Sequence, residues 1–336
     1  MQRAAYFYGQ ISFLNKSIKL IVNYFLGPLL FLVLSYLLYK QIIQQPDLEI
    51  RWTQIKSSWK QPLFWIVVLM LFFNWGLEAL KWQLLLSPLE KISFSKSLKS
   101  VFAGCSITML TPNRTGEFGG RILFVRPENR IKAISATIVG SISQLTITII
   151  IGVIAIITFK NATASYKLIK ELPWIFNQYV LVISSLAGFM LLMIFFRLDF
   201  LINFLERISG LKKISQHISF LNFFNRKILL RILFYSLLRY LVFILQYIFL
   251  LHVFHVEIDS FVCFGLLAIF YLTMAILPTI GFTELPVRAT TSVLILGLLS
   301  ENVLGIQTAA LGIWLINLVV PSIIGSFYIL RTKIYK

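Results

Sequence analysis

Two short stretches interrupt an otherwise apolar chain with residue types that could do chemistry. Residues 111–121 read TPNRTGEFGGR, and residues 277–288 read LPTIGFTELPVR. Each stretch has a proline near its start, then a glycine, then a glutamate, and finally an arginine four residues after that glutamate. Charged, helix-breaking segments at corresponding positions of two halves indicate a transporter-like binding site near the middle of a membrane.

The chemistry that these residues favour is recognition of a phosphate group. The planar guanidinium of arginine donates paired hydrogen bonds to phosphate oxygens. Glu117 and Glu284 each lie one helical turn before an arginine, so they could hold that arginine by pairing, or bind an amine on the ligand. The predicted substrate-binding residues combine both stretches with charges in two apolar runs: Pro112, Arg114, Gly116, Glu117, Arg121, Pro278, Gly281, Glu284, Arg288, Glu78, Lys81 and Arg239.

Three of these charges lie inside apolar runs. Glu78 and Lys81 are three residues apart, so they can pair on one helix face; alternatively, Lys81 extends its ammonium to the membrane interface. Arg239 lies deep in a later run, where a charge is expensive and usually functional. If Arg239 is paired, we expect its partner to be a carboxylate such as Glu117 or Glu284.

Composition identifies an integral membrane protein. Of the 336 residues, 58% are hydrophobic and 13% are charged, whereas soluble domains carry about 25% charged residues. Lys and Arg number 31 against 13 Asp and Glu, a net charge of +18. Between membrane spans such an excess sets orientation and attracts anionic lipid headgroups, so we expect no nucleic-acid partner.

The residue types needed for cofactor or metal chemistry do not cluster in the sequence. The two cysteines, Cys105 and Cys263, stand in apolar surroundings, and no CxxC or Cys/His group occurs. No nucleophile–base set or nucleotide-binding loop is recognisable either. We therefore predict no metal, no cofactor and no catalytic residues.

The fold expected is all-α and polytopic, with about six full transmembrane helices. A crossing needs about 20 apolar residues, and the two stretches lie in segments whose arms are too short or too polar for that. We interpret residues 92–126 and 258–299 as re-entrant helical hairpins; if both cross fully, there are eight crossings or more. The predicted full spans are residues 18–39, 62–86, 133–159, 175–196, 228–251 and 303–330.

The chain is expected to be one integral membrane domain, 1–336, built as an inverted pseudo-repeat of residues 1–160 and 175–336. Lys and Arg concentrate in alternate loops, which predicts the cytoplasmic membrane with both termini in the cytoplasm. In that orientation the first hairpin enters from the cytoplasm and the second from outside, so their tips would meet near the midplane.

The two signatures, Pro112–Gly116–Glu117–Arg121 and Pro278–Gly281–Glu284–Arg288, together with Lys81, resemble the transmembrane region of lysylphosphatidylglycerol synthetase over most of the chain. The resemblance implies a region that moves aminoacylated phospholipid between leaflets, while a separate soluble domain performs aminoacyl transfer. Two positions depart from the usual pattern: Thr283 precedes Glu284 where a glycine-rich run is typical, and Gln144 replaces a basic residue.

Three functions follow as hypotheses. The first is a flippase or scramblase that moves an anionic or aminoacylated phospholipid, or a lipid-linked sugar, between leaflets. The second is an intramembrane lipid-modifying transferase in which Glu117 or Glu284 is the general base. The third is a scaffold partner of a cell-envelope glycosyltransferase. Because apolar runs fill nearly the whole chain, we expect no separate soluble catalytic domain within these residues.

Overall fold

A computed structural model describes residues 27–44, 47–109, 111, 115–161, 170–207, 218–277 and 284–331. Within these ranges the regular structure is helical and contains no strands, so the all-α prediction is confirmed. The α-helices are α1 Gly27–Ile43, α2 Leu48–Ser57, α3 Pro62–Leu86, α4 Phe94–Met109, α5 Gly116–Ile122, α6 Arg130–Asn161, α7 Gln178–Phe196, α8 Leu198–Arg207, α9 Arg226–Val253, α10 Ser260–Ile276, α11 Glu284–Leu296, α12 Val303–Trp314 and α13 Val320–Arg331.

Five helical segments in the described part of the chain are long and apolar enough to cross a membrane. They coincide with five predicted spans, and the chain is a multi-pass membrane protein. The other predicted span, residues 18–39, is described only from residue 27, where α1 begins. The five segments are Pro62–Leu86, Pro127–Lys160, Gln178–Phe196, Arg226–Val253 and Val303–Arg331.

The two predicted hairpin segments each contain a pair of shorter helices. α4 has 16 residues and α5 has 7, and the two helices pack against each other. α10 has 17 residues and α11 has 13, and they also pack together. Each of these helices is shorter than the roughly 20 residues that a full crossing needs.

Glycine sets how closely α5 approaches α4. A Cβ atom at Gly120 would overlap the carbonyl group of Ala103, whereas a Cβ at Gly119 would meet nothing within 4 Å. α5 is only two turns long, so contact along the Gly120 side determines where its charged residues point. Glu117 and Arg121 are carried by this helix.

The buried apolar side chains form two clusters, and the long helices α6 and α9 pass from one cluster to the other. In α6, Val139 belongs to one cluster and Ile149 to the other; in α9 the corresponding residues are Ile232 and Tyr240. Polar residues occupy the interval between the clusters on both helices. The candidate site lies in this interval.

α12 and α13 form one continuous segment through a π-helical turn, Leu315–Val319. Pro321 follows this turn and has no N–H for the carbonyl of Asn317, four residues earlier, which disfavours regular α-helix there. The structure has this wider turn immediately before the proline. π-turns are frequent at functional sites, and this one places the Asn317 side chain in the interior, 6% exposed.

Candidate functional site

Glu78 of α3 lies at the centre of a buried cluster of charges. Its carboxylate is 3% exposed and accepts from three cations on three helices. Lys81 Nζ lies 2.8 Å from Oε2, which is the pairing on one helix face that the spacing allowed. Arg239 Nη1 of α9 lies 2.6 Å from the same oxygen, and Arg121 Nη2 of α5 lies 2.6 Å from Oε1.

Arg121 is held from several directions at once. Its guanidinium bridges Glu78 and Glu117 and lies over the ring of Trp82, with Cζ 5.1 Å from the ring centroid. Its backbone carbonyl accepts from Ser100 Oγ at 2.8 Å, and that hydroxyl accepts from Trp82 Nε1 at 2.9 Å. These contacts tie the position of α5 to both α3 and α4.

Arg239 begins a chain of hydrogen bonds that links α9, α3 and the π-turn. Its Nε donates to Asn74 Oδ1 at 2.8 Å, and Asn74 Nδ2 donates to Asn317 Oδ1 at 2.8 Å. Asn317 Nδ2 then donates to Gln246 Oε1 at 2.8 Å, and Gln246 Nε2 donates to the Val67 carbonyl at 2.8 Å. Because each amide has a donor and an acceptor in use, the chain fixes the direction of the Arg239 side chain.

The carboxylate partner of Arg239 corrects one expectation. We expected a carboxylate such as Glu117 or Glu284 for a paired Arg239, and the structure shows a different carboxylate, Glu78. The reason is helix packing: α9 packs directly on α3, which carries Glu78. Glu117 pairs with Arg121, which lies four residues later on its own helix.

The cluster has more positive than negative charge. Lys81, Arg121 and Arg239 face two carboxylates, Glu78 and Glu117, which leaves a formal excess of one positive charge. Pairing offsets much of the cost of burying these groups, because each charge keeps an opposite neighbour. The remaining positive charge favours an anion at the open side of the cluster.

That open side faces a cavity of about 370 Å³ between α3, α5, α6 and α9. Glu117 and Arg239 keep 29% and 13% of their side chains exposed, whereas Lys81 and Arg121 keep 2% each. The first pair is therefore available for direct contact with a ligand, and the second pair supports it. The lining residues are Glu78, Lys81, Glu117, Phe118, Arg121, Thr137, Gly140, Ser141, Gln144, Leu145, Thr148 and Arg239.

In the second motif, the arginine pairs with the glutamate of its own helix. Arg288 Nη2 donates to Glu284 Oε1 at 3.0 Å within α11, and both side chains are nearly buried. α11 packs on α1, α10 and α12, while α5 packs on α4 and α6. The structure thus brings together Glu78, Lys81, Glu117, Arg121 and Arg239, and Glu284 and Arg288 are not among the described residues lining their cavity.

The remaining predicted site residues are mostly outside the described ranges. Pro112, Arg114, Pro278 and Gly281 lie outside the described residues. Gly116 is described and begins α5, where a Cβ would overlap the backbone carbonyl of Ile107. Its contribution is therefore to the close approach of α5 to the end of α4.

Sequence reasoning assigned no site role to several neutral polar residues. Asn74, Gln246 and Asn317 orient Arg239, and Gln144 lines the cavity together with hydroxyl residues of α6. In the sequence, these four amide residues are recognisable only as polar side chains within apolar spans. Spacing along one helix could not join them, because their partners lie on other helices.

Comparison with known proteins identifies a family. The family model described as the lysylphosphatidylglycerol synthase TM region matches residues 24–325. No curated protein and no solved structure matches the chain. The matched range contains every charged residue of the cavity, and the chain belongs to the family of the lysylphosphatidylglycerol synthase transmembrane region.

Proposed function

We propose that this protein is a flippase or scramblase that moves a lipid with an anionic phosphate headgroup between the leaflets of the cytoplasmic membrane. The observation that carries the proposal is the cavity at the Glu78 cluster, where three cations and two carboxylates leave an excess positive charge. Membership of a membrane lipid-related family supports it.

The arrangement suits a phosphate because its donors are already oriented. Glu78 and Asn74 hold Arg239 at 2.6 and 2.8 Å, so this arginine loses little conformational freedom when it binds. Its guanidinium also lies 4.9 Å from the Trp75 ring centroid, which keeps its plane fixed. Oriented guanidinium donors bind phosphate oxygens strongly, particularly away from bulk water.

We further propose that the order and orientation of the helices expose the cavity to each leaflet in turn. One order of helices occurs twice, with two long segments flanking two short helices. It is found in α3 to α6 and again in α9 to α13. With both termini in the cytoplasm, α3 would begin outside and α9 inside, as in an inverted repeat of one membrane domain. The short pairs α4–α5 and α10–α11 would then be re-entrant hairpins entering from opposite faces.

The test compares two arginines of α9 in reconstituted vesicles. Arg239 lines the cavity, while Arg231 is exposed on the same helix and is not among the lining residues. We expect Arg239→Gln to lower the rate of movement of a fluorescent anionic phospholipid about tenfold or more, since a charge-assisted hydrogen bond contributes about 1.5–3 kcal/mol. Arg231→Gln should retain the parent rate.

The same preparation separates the other two hypotheses. No lipid movement above that of empty vesicles would contradict the proposal. A covalently modified lipid formed from a supplied donor would then indicate the transferase, with Glu117 as its candidate base. If neither signal is seen, while deletion of the protein impairs an envelope-biosynthesis enzyme, the scaffold hypothesis is favoured.

A further inference from the structure

The short helix α2 lies between the end of α1 and the beginning of α3, and its two sides differ. On one side, Ile55 packs against an apolar cluster, and Arg51 and Gln54 line a cavity of about 400 Å³. Helical spacing places Trp52 and Lys56 on the opposite side, where both are exposed. α2 therefore presents a tryptophan and a lysine together on the surface of the molecule.

Two lysines of this segment lie over exposed tryptophan rings. Lys56 Nζ is 5.6 Å from the centroid of the Trp52 ring, and Lys60 Nζ is 5.8 Å from the centroid of the Trp59 ring. Both rings are more than half exposed. Such a pair joins a large apolar ring to a positive charge, which suits the boundary between lipid acyl chains and phosphate groups.

A third exposed tryptophan connects this segment to the lipid-facing side of α3. Trp65 Nε1 donates to the Trp59 carbonyl at 2.9 Å, and the Trp65 ring is more than half exposed. Farther along α3, the side chains of Leu69, Phe72 and Phe73 are also more than half exposed. A continuous exposed apolar surface on a membrane-spanning helix contacts lipid. Trp65 therefore marks where this surface ends, and α2 lies just beyond that point.

The same boundary is marked at the beginning of α7. Trp174 precedes this helix, Tyr179 is in its first turn, and both side chains are exposed. In the predicted orientation, α3 and α7 both begin outside. Every exposed tryptophan in the described ranges lies near one of these two helix beginnings. Tryptophan and tyrosine are enriched at membrane–water interfaces, so these side chains indicate one interfacial layer.

We propose that α2 and the turn that follows it bind the headgroup layer of one leaflet, the outer leaflet in the predicted orientation. The tryptophan rings lie among the headgroups, and Lys56 and Lys60 contact lipid phosphate groups. Charge complementarity favours this partner, because residues 40–61 contain four Lys or Arg and two Asp or Glu. The two acids, Asp47 and Glu49, lie at the other end of α2. A second copy on the same surface would set lysine against lysine.

Labels on neighbouring residues of α2 test the contact with lipid. An environment-sensitive fluorophore is attached to Thr53→Cys or to Gln54→Cys in the full chain, reconstituted in phosphatidylcholine vesicles. Thr53 is exposed, whereas Gln54 lines the cavity on the protein side. The native cysteines are buried, so background labelling should be low. A nitroxide on the lipid headgroup should quench most of the fluorescence at position 53 and little of that at position 54.

Traces of spin-labelled phosphatidylserine or phosphatidylcholine then test the lysines. We expect the anionic lipid to be enriched about fivefold near the Thr53→Cys label, the gain that a lysine close to the membrane surface provides. High salt should reduce this enrichment. Lys56→Gln combined with Lys60→Gln should abolish it. The control combines Arg226→Gln with Lys227→Gln, which removes the same charge at the end of α9 opposite to the one that contacts the beginning of α3.

Three results would overturn the inference. Shielding of the Thr53→Cys label from both the lipid nitroxide and aqueous iodide would show that protein, such as a second copy, covers this side of α2. Strong quenching by iodide alone would place α2 in water, away from the headgroups. Equal enrichment of the two lipids, or an enrichment that survives the loss of both lysines, would exclude the phosphate contact. None of these results depends on lipid movement, so the flippase or scramblase proposal is tested separately.

Discussion

At the scale of single residues, the charged cluster depends on Glu78, because this carboxylate is shared by Lys81, Arg121 and Arg239. Glu78→Gln leaves the three cations without that partner, and we expect a loss of about 3–5 kcal/mol in stability, as for other broken buried pairs. Adding Arg239→Leu removes one of those cations, so the double variant should be more stable than the sum of the single changes predicts.

Thermal melts of the detergent-purified single and double variants measure this coupling. Glu117→Gln is the control, because Glu117 is 29% exposed and only Arg121 among the described cations pairs with it. It should cost clearly less stability than Glu78→Gln. Strict additivity of Glu78→Gln and Arg239→Leu would mean that the two side chains do not share one electrostatic unit.

The sequence allowed part of this site to be predicted. Spacing along one helix is enough to pair Glu78 with Lys81, and Glu117 with Arg121. The contact of Arg239 with Glu78 crosses 161 residues of sequence and depends on how α9 packs against α3. No local pattern contains that information, which is why Glu117 and Glu284 were the expected partners.

At the scale of elements, the position of α5 depends on a single close approach. A Cβ at Gly120 would overlap the carbonyl of Ala103, whereas one at Gly119 has open space. Gly119→Ala should be neutral or stabilising by up to about 1 kcal/mol, because alanine favours helix. Gly120→Ala should destabilise by about 1–3 kcal/mol, because α5 must move away from α4.

Arg121 directly follows Gly120. The displacement of α5 in Gly120→Ala should therefore also weaken the contact of Arg121 with Glu78. Melting temperatures of both variants test the packing, and affinity for an anionic lipid tests the site. Equal behaviour of the two alanine variants would show that α5 is not held against α4 as described.

The elements themselves were more predictable than their contacts. Long apolar runs identified α3, α6, α7, α9 and the segment from α12 to α13, because a membrane span needs length and hydrophobicity above all. The π-turn at 315–319 lies inside one of these runs, and hydrophobicity alone does not distinguish it from regular α-helix. Its consequence for Asn317 depends on the neighbouring amides of α3 and α9, which lie far away in sequence.

At the scale of the whole molecule, the expected orientation follows from charge in the connecting segments. α7 lies between two such segments. The segment before it contains Glu171, and the segment after it begins at Arg197. Residues 197–227 are rich in Lys and Arg, which predicts the cytoplasm for that side and the outside for Glu171. The same orientation underlies the inverted repeat in the proposed function.

Cysteine labelling in intact cells tests this orientation. Glu171 and Asp199 are both exposed and lie beyond opposite ends of α7, and the native Cys105 and Cys263 are buried, so background labelling should be low. A membrane-impermeant maleimide should label Glu171→Cys in intact cells and Asp199→Cys only after permeabilisation. The reverse pattern would place the Lys- and Arg-rich segments outside, and would exchange the faces from which the proposed hairpins enter. Labelling of both positions in intact cells would mean that α7 does not cross the membrane.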